Sequence, residues 1–150
     1  MKKVILLFCL CTSICSFGQE KQTQKERFKS TYEAMKELVE SQRYAYVGHY
    51  VYSNKNREKL KAGNNTIQIS GSKAHGQLRH LSVYNEDSWR LNAKFSNYQV
   101  DYIDEEQIIS IQFNIEDLNI YFDIKPNGNV FLTAKKNGKF ITQLGKIKNI

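Results

Sequence analysis

Between Ile109 and Ile124 the chain alternates apolar and polar residues through two consecutive runs. Ile109, Ile111, Phe113 and Ile115 make one apolar set, and Leu118, Ile120, Phe122 and Ile124 the other. A period of two is that of a β-strand, whose successive side chains point to opposite faces. With Glu116-Asp117 as a two-residue hairpin loop, Ile115 pairs with Leu118, Phe113 with Ile120, Ile111 with Phe122 and Ile109 with Ile124. A one-residue slip would turn the whole apolar set to water, so the register is strongly specified. The next loop, Pro126-Asn127-Gly128, predicts a type I turn with Gly128 left-handed, which pairs Ile124 with Val130 and Phe122 with Leu132. Lys136-Asn137-Gly138 reads as the same device, pairing Ala134 with Phe140 and Val130 with Leu144. Three hairpins thus predict a four-stranded antiparallel meander with one apolar face.

Upstream, the period changes. Over residues 19–41, Phe28, Tyr32, Met35 and Leu38 or Val39 recur at spacings of three and four, which puts them on one side of a helix. Its start, to about Lys25, is polar enough to fray. The apolar stripe is expected to dock on the sheet. From Arg43 the period drops to two, with Tyr44, Tyr46, Tyr50 and Tyr52 alternating with Ala45, Val47, His49 and Val51. Residues 54–61 are charged and predict a turn or short helical bend. Asn64-Asn65 signals a turn before a strand at 66–70, with Ile67 and Ile69 on one face. Two glycines make 70–76 a bend or loop, and 78–84, 90–95 and 98–103 predict further strands, with a turn at 85–88. The fold class that follows is α+β, an N-terminal helix packed on an antiparallel β-sheet that ends in the meander, with residues 42–150 forming one β domain.

The first 18 residues have a different character. Lys2 and Lys3 precede an apolar run from Val4 to Cys15, and Ser16 and Gly18 place small residues three and one positions before a cut. That order is a secretory signal, with cleavage after Gly18 or, as a close rival, Gln19. The run is shorter than the roughly 20 residues of a membrane span, so the mature chain is expected to carry no transmembrane segment. Cys9, Cys11 and Cys15 all lie inside it, which leaves the mature domain without a thiol, disulfide or thiolate metal site. Lipid anchoring at Cys15 is disfavoured, because Ile14 and Thr12 reverse the small and aliphatic positions such a site uses. Losing Lys2 and Lys3 lowers the formal charge from +7 to +5. That excess looks scattered, at Lys21, Lys25, Arg27 and Lys29 and again at Lys135, Lys136, Lys139, Lys146 and Lys148, and scattered charge usually means a solvated surface. Partners compatible with export are an envelope protein, a glycan or an anionic lipid; nucleic acid is not expected where the signal sends the chain. The location expected is the periplasm or the cell exterior.

Catalytic patterns are weak. Of the three histidines, His75 and His80 differ by five, an odd spacing that places them on opposite faces of one strand unless a bend intervenes. Ser70-Gly71-Ser72 lacks the flanking glycines of a nucleophile elbow. Asp101, Asp104-Glu105-Glu106 and Glu116-Asp117 read as hairpin loops rather than as paired carboxylates across a cleft. No phosphate loop, dinucleotide fingerprint or calcium loop occurs, so no catalytic, metal or cofactor residue is assigned and no cofactor is expected. The alternate tyrosines Tyr44, Tyr46, Tyr50 and Tyr52, joined by Trp89, are the candidate binding surface: each ring offers apolar area and a polar tip to a sugar or a partner's side chain. Against that stands the bland reading, that tyrosine simply suits a half-buried strand.

Several segments resemble one family. Leu38-Val39-Glu40-Ser41 followed by Tyr44 and Tyr46, then 95–100 (Phe-Ser-Asn-Tyr-Gln-Val), 124–132 (Ile-Lys-Pro-Asn-Gly-Asn-Val-Phe-Leu) and 141–147 (Ile-Thr-Gln-Leu-Gly-Lys-Ile) are similar to the domain of unknown function 4251, a family of exported Bacteroidetes proteins. Where that family carries a Leu-Pro-Tyr-Phe-Gly-Arg-like segment, this chain has Ala74-His75-Gly76-Gln77-Leu78, keeping the glycine and little else. The resemblance implies an exported domain and assigns no catalytic residue. The functional expectation is a non-catalytic binding or accessory protein of the cell envelope. Its alternative is a small hydrolase built on His75, His80 and a nearby carboxylate.

Overall fold

A computed structural model of the chain describes residues 23–61, 63, 65–84 and 87–150. The predicted leader with its cysteines, residues 19–22, Asn64 and Asn85 lie outside the described residues. Helix α1 spans Gln24–Glu40. Thr23 begins it with a reciprocal cap: its hydroxyl accepts the Glu26 N–H at 3.3 Å, and the Glu26 carboxylate accepts the Thr23 N–H at 2.8 Å. Tyr32 and Val39 are buried and Met35 and Leu38 pack against the same core, so the predicted stripe is the docked face. Each fully buried side chain of that size contributes about 1.5–3 kcal/mol, so packing rather than helix propensity holds α1 in place.

A polar latch adds to this. The Tyr32 hydroxyl donates to Asp104 Oδ1 at 2.6 Å, and the Lys36 ammonium reaches the same oxygen at 3.2 Å. Those two donors hold the Asp104 carboxyl below its ordinary range. A depressed carboxyl stabilises the fold above its unfolded-state value, about 3.9, and that stability is lost as pH falls through the folded value. At about pH 6 the urea midpoint of the wild type should therefore exceed that of Asp104→Asn, and the gap should close below about pH 3.9. A gap unchanged at the acid end would mean that the carboxylate charge does not hold the helix.

The described strands are β1 (Arg43–Tyr52), β2 (Arg57–Lys59), β3 (Thr66–Ser70), β4 (Lys73–Leu78), β5 (Trp89–Lys94), β6 (Ser96–Ile103), β7 (Ile108–Ile115), β8 (Leu118–Ile124), β9 (Asn129–Lys136) and β10 (Lys139–Asn149). They form one antiparallel sheet in the order β5-β4-β3-β1-β10-β9-β8-β7-β6, with β2 paired to β1 off that path. In a flat sheet, nine strands about 4.8 Å apart would separate the edge strands by roughly 38 Å. Yet Phe95 alone links β5 to β6. The sheet must therefore curl, and the concave side becomes the core. Phe95 sits at that corner, its ring 5.2 Å from those of Tyr98 and Phe113. The molecule is thus one helix against a large curled sheet, more strand-rich than the expected α+β layering.

The first two predicted hairpins hold residue for residue, including the row Ile111–Phe122–Leu132. The third does not. Lys136 pairs with Lys139 around a two-residue loop, with Asn137 at φ 49 and Gly138 at φ 76, both left-handed as a type I′ turn requires. Ala134 therefore meets Ile141 and Val130 meets Gly145, one residue off the expected pairs. That slip reverses β10, so Ile141, Gln143, Gly145 and Ile147 face the core while Phe140 is 62% exposed. Three local expectations also fail. Residues 57–59 are strand β2, not a bend, because they hydrogen-bond to the end of β1. The expected loop at 70–76 is a tight turn followed by β4, in which Ala74 and Leu78 face inward. The expected strand at 78–84 ends at Leu78, and Ser82–Tyr84 form a 3₁₀ turn.

Candidate functional site

The tyrosines of β1 do not share a face. A register shift between Gly48 and Tyr50 places an extra residue in the strand, and the Leu60 N–H takes the His49 carbonyl there. Before the shift Tyr44 and Tyr46 point inward and are fully buried. The Tyr44 hydroxyl lies 3.3 Å from that of Tyr98, and the Tyr46 ring packs 5.3 Å from Phe122. Burial pushes both hydroxyls well above the ordinary tyrosine range. Neither can offer a ring to a partner, which corrects the expected platform. After the shift Tyr50 and Tyr52 are half-buried on the other side, with the Arg57 guanidinium 3.8 Å above the Tyr50 ring. Trp89 is half-buried too, its ring edge-on to His80 at 4.7 Å.

Tyr52 does line a cleft, of about 190 Å³. The end of β1 supplies Val51, Tyr52 and Ser53; the segment after β4 supplies His80, Leu81 and Tyr84; β10 supplies Phe140, Ile141 and Thr142 beside the Gly138 turn. Tyr84 is 53% exposed and Phe140 62%, so two rings stand open at its rim. The slip in the last hairpin is what turns Phe140 outward to this position.

Buried amides fix the middle wall. Arg79, just ahead of His80, donates its N–H to Asn65 Oδ1 at 3.0 Å, and its carbonyl accepts Gln143 Nε2 at 3.0 Å. The same Gln143 amide reaches Asn65 Oδ1 at 3.4 Å. Gly48 makes room for this network, since a Cβ there would lie 2.4 Å from Gln143 Oε1. Farther along, the Ser82 N–H donates to Glu58 Oε2 at 2.8 Å and holds that carboxyl below its ordinary range. The segment between β4 and β5 is thereby held from β2, from β10 and from Asn65 just ahead of β3 at once.

The histidines do not converge. His75 is exposed on the outer face of β4, while His80 is 5% exposed on the core side. They line different depressions, so the hydrolase reading loses the geometry it needs. His49 is exposed at the β1 bulge. Asp104, Glu105 and Glu106 sit in the β6–β7 turn and Glu116 and Asp117 in the β7–β8 turn, as the spacing predicts, whereas Asp101 lies within β6 opposite Ser110 rather than in a loop. Among the described residues no three His, Cys, Asp or Glu side chains could hold a metal ion. Nor is any described helix long and apolar enough to cross a membrane. Sequence reasoning missed Tyr84, Phe140, Asn65 and Gln143. The available signal was Asn137-Gly138, the strongest two-residue hairpin dipeptide.

No protein-family model and no curated protein matches the chain. Among solved structures, the crystal structure of a DUF4251 family protein from Bacteroides eggerthii superposes with a TM-score of 0.70. It covers 84% of this chain and 92% of its own, at 14% identity. The chain has the DUF4251 fold. The resemblance drawn from the sequence motifs is thus borne out in three dimensions. At this identity the likeness concerns the DUF4251 fold alone, and the cleft rests on this chain's own geometry.

Proposed function

We propose that this DUF4251-fold protein is an exported, non-catalytic binding domain of the cell envelope that holds one sugar ring of a glycan in the Tyr52–Tyr84–Phe140 cleft. The observation that carries this reading is the pair of rings, Tyr84 and Phe140, more than half exposed beside a ring-sized hollow. Exposed aromatic surface is costly in water, and a ring at a rim recovers that cost by stacking against the C–H face of a sugar. Ser53, Thr142 and the Tyr52 tip supply hydroxyls for the sugar's own. The charge order of the leader and its small exit residues support export.

Phe140→Ala and Tyr84→Ala should each lower affinity for the cognate glycan at least about tenfold, the loss of roughly 1.4 kcal/mol that one stacked ring can supply. Unfolding free energy should move by no more than about 0.5 kcal/mol, because both side chains are exposed. A panel of envelope oligosaccharides screened against wild type, followed by calorimetric titration of the variants, reads both numbers. Absence of any bound oligosaccharide on the wild type, or wild-type affinity retained in both variants, would sink the reading.

A further inference from the structure

The strands β10, β1, β3, β4 and β5 are contiguous in the sheet, and none of them contains an aspartate or a glutamate. Their outward positions fall into rows across the strands. Arg43 lies beside Ser70, Lys73 and Lys94; Lys148 beside Ala45, Gln68, His75 and Asn92; Lys146 beside Val47, Thr66, Gln77 and Arg90. Six cations, Arg43, Lys73, Arg90, Lys94, Lys146 and Lys148, therefore share one exposed face. They come from four separate strands, β1, β4, β5 and β10, so the charge that looks scattered along the chain is gathered by the sheet order.

Two features set this face apart from an ordinary solvated surface. The first is the lack of compensation: ion pairs among the described residues join Lys36 to Asp104, Lys125 to Asp123 and Lys136 to Asp117, all elsewhere. Lys73 stands directly opposite Lys94 across β4–β5, a like-charge placement that destabilises a sheet. The second is the floor between the cations. Two depressions, of about 510 and 310 Å³, lie on this face and share Gln68, His75 and Asn92. The five strands make a platform about 19 Å wide at the usual strand spacing.

We propose that this face binds a linear acidic polysaccharide, its carboxylates or sulfates meeting the peripheral cations and its hydroxyls meeting the amide and imidazole floor. The side chains discriminate among polyanions. A membrane-docking surface needs apolar side chains to enter the lipid. Here the large exposed apolar residues are Val83, Tyr84, Ile103, Tyr121, Phe131 and Phe140, with Ile150 at the chain's end, and none sits in these rows. A single-stranded nucleic acid favours large aromatic rings on which successive bases stack, and the three rows contain no Phe, Tyr or Trp. Amides and hydroxyls between cations match a polymer that carries hydroxyls between its charges. The inference is independent of the cleft, whose rings lie outside these rows.

The test uses purified protein with alginate as a carboxylated probe, dextran sulfate as a sulfated one and neutral dextran as a control. Wild type should bind one or both polyanions with an affinity that falls as salt is raised, and should not bind dextran. The triple variant Lys73→Glu/Arg90→Glu/Lys94→Glu should lose at least about tenfold in affinity with its melting curve retained, since all three side chains are exposed. Lys146→Gln/Lys148→Gln, on different strands, should lose affinity too and covers the case in which the triple variant fails to fold. Lys29→Glu/Lys55→Glu/Lys135→Glu changes net charge by the same amount on other surfaces and should retain tight binding. An equal loss in that control set, unchanged binding in both face variants, or tighter binding to anionic phosphatidylglycerol vesicles or to a single-stranded oligonucleotide would each overturn the proposal. Phe140→Ala should leave polyanion binding unchanged, which separates this inference from the sugar cleft.

Discussion

Gly76→Ala is expected to cost the protein about 4 kcal/mol or more, enough to leave much of the chain unfolded. Gly76 pairs with Ile67 in the middle of the β3–β4 ladder, at φ 148. A Cβ built there would lie 1.8 Å from the Thr66 carbonyl oxygen, 2.9 Å from its carbon and 3.0 Å from the Ile67 Cα. All three are backbone atoms, so no side chain can swing aside. Either β3 separates from β4 or the strand kinks, and among the described strands β5 pairs with β4 alone. Gly71→Ala provides the contrast. Gly71 is also left-handed, at φ 56, but nothing lies within 4 Å of its would-be Cβ. That variant should lose only the conformational penalty, about 1–2 kcal/mol. Urea unfolding of the two side by side separates strain from collision, and similar losses would show that the close approach at Gly76 is not tight.

The same region shows why part of the fold is hidden in the sequence. Between Lys73 and Leu78 only Ala74 and Leu78 are apolar and face inward, with Gly76 between them, so the period-two signal is too thin to outweigh a glycine. The meander is legible for the opposite reason: every inward position from Ile109 to Ile124 is a large apolar residue, and a wrong register would expose them all. Its last turn misleads because Lys136-Asn137-Gly138 looks like Pro126-Asn127-Gly128. Proline fixes φ near −65° and so forces a type I turn with Gly128 as the left-handed residue. Lysine imposes no such constraint, stays in its strand, and lets Asn137 take the positive φ itself. On β1 the tyrosine spacing reads as one ladder because a bulge leaves no mark in an alternating pattern. The basic face is the least legible feature of all. Arg43, Lys73, Arg90 and Lys148 become neighbours only through the strand order β5-β4-β3-β1-β10, which no local pattern encodes.

Reversal of β10 also buries an amide, and Gln143→Ala should cost about 3–4 kcal/mol and weaken the sugar cleft at the same time. Gln143 lies in the inner row between Leu132 and Val51 and is fully buried. Its Nε2 serves the Arg79 carbonyl and Asn65 Oδ1, and its Oε1 takes a long hydrogen bond, 3.5 Å, from Tyr46. Truncation strands the Arg79 carbonyl away from water, and an unmet buried acceptor costs about 1–3 kcal/mol. The void left among Tyr46, Leu132 and Val51 adds to this. Gln143→Leu fills the void but leaves the carbonyl unmet, so its loss should be smaller by the cavity contribution alone. Both variants loosen the segment that carries His80, Leu81 and Tyr84, because the Arg79 backbone then keeps its bond to Asn65 but not the one to Gln143. Faster amide exchange at residues 79–84, and reduced glycan affinity with Phe140 still in place, are the expected readouts. If stability falls while exchange in that segment is unchanged, the amide supports the core without anchoring the cleft wall.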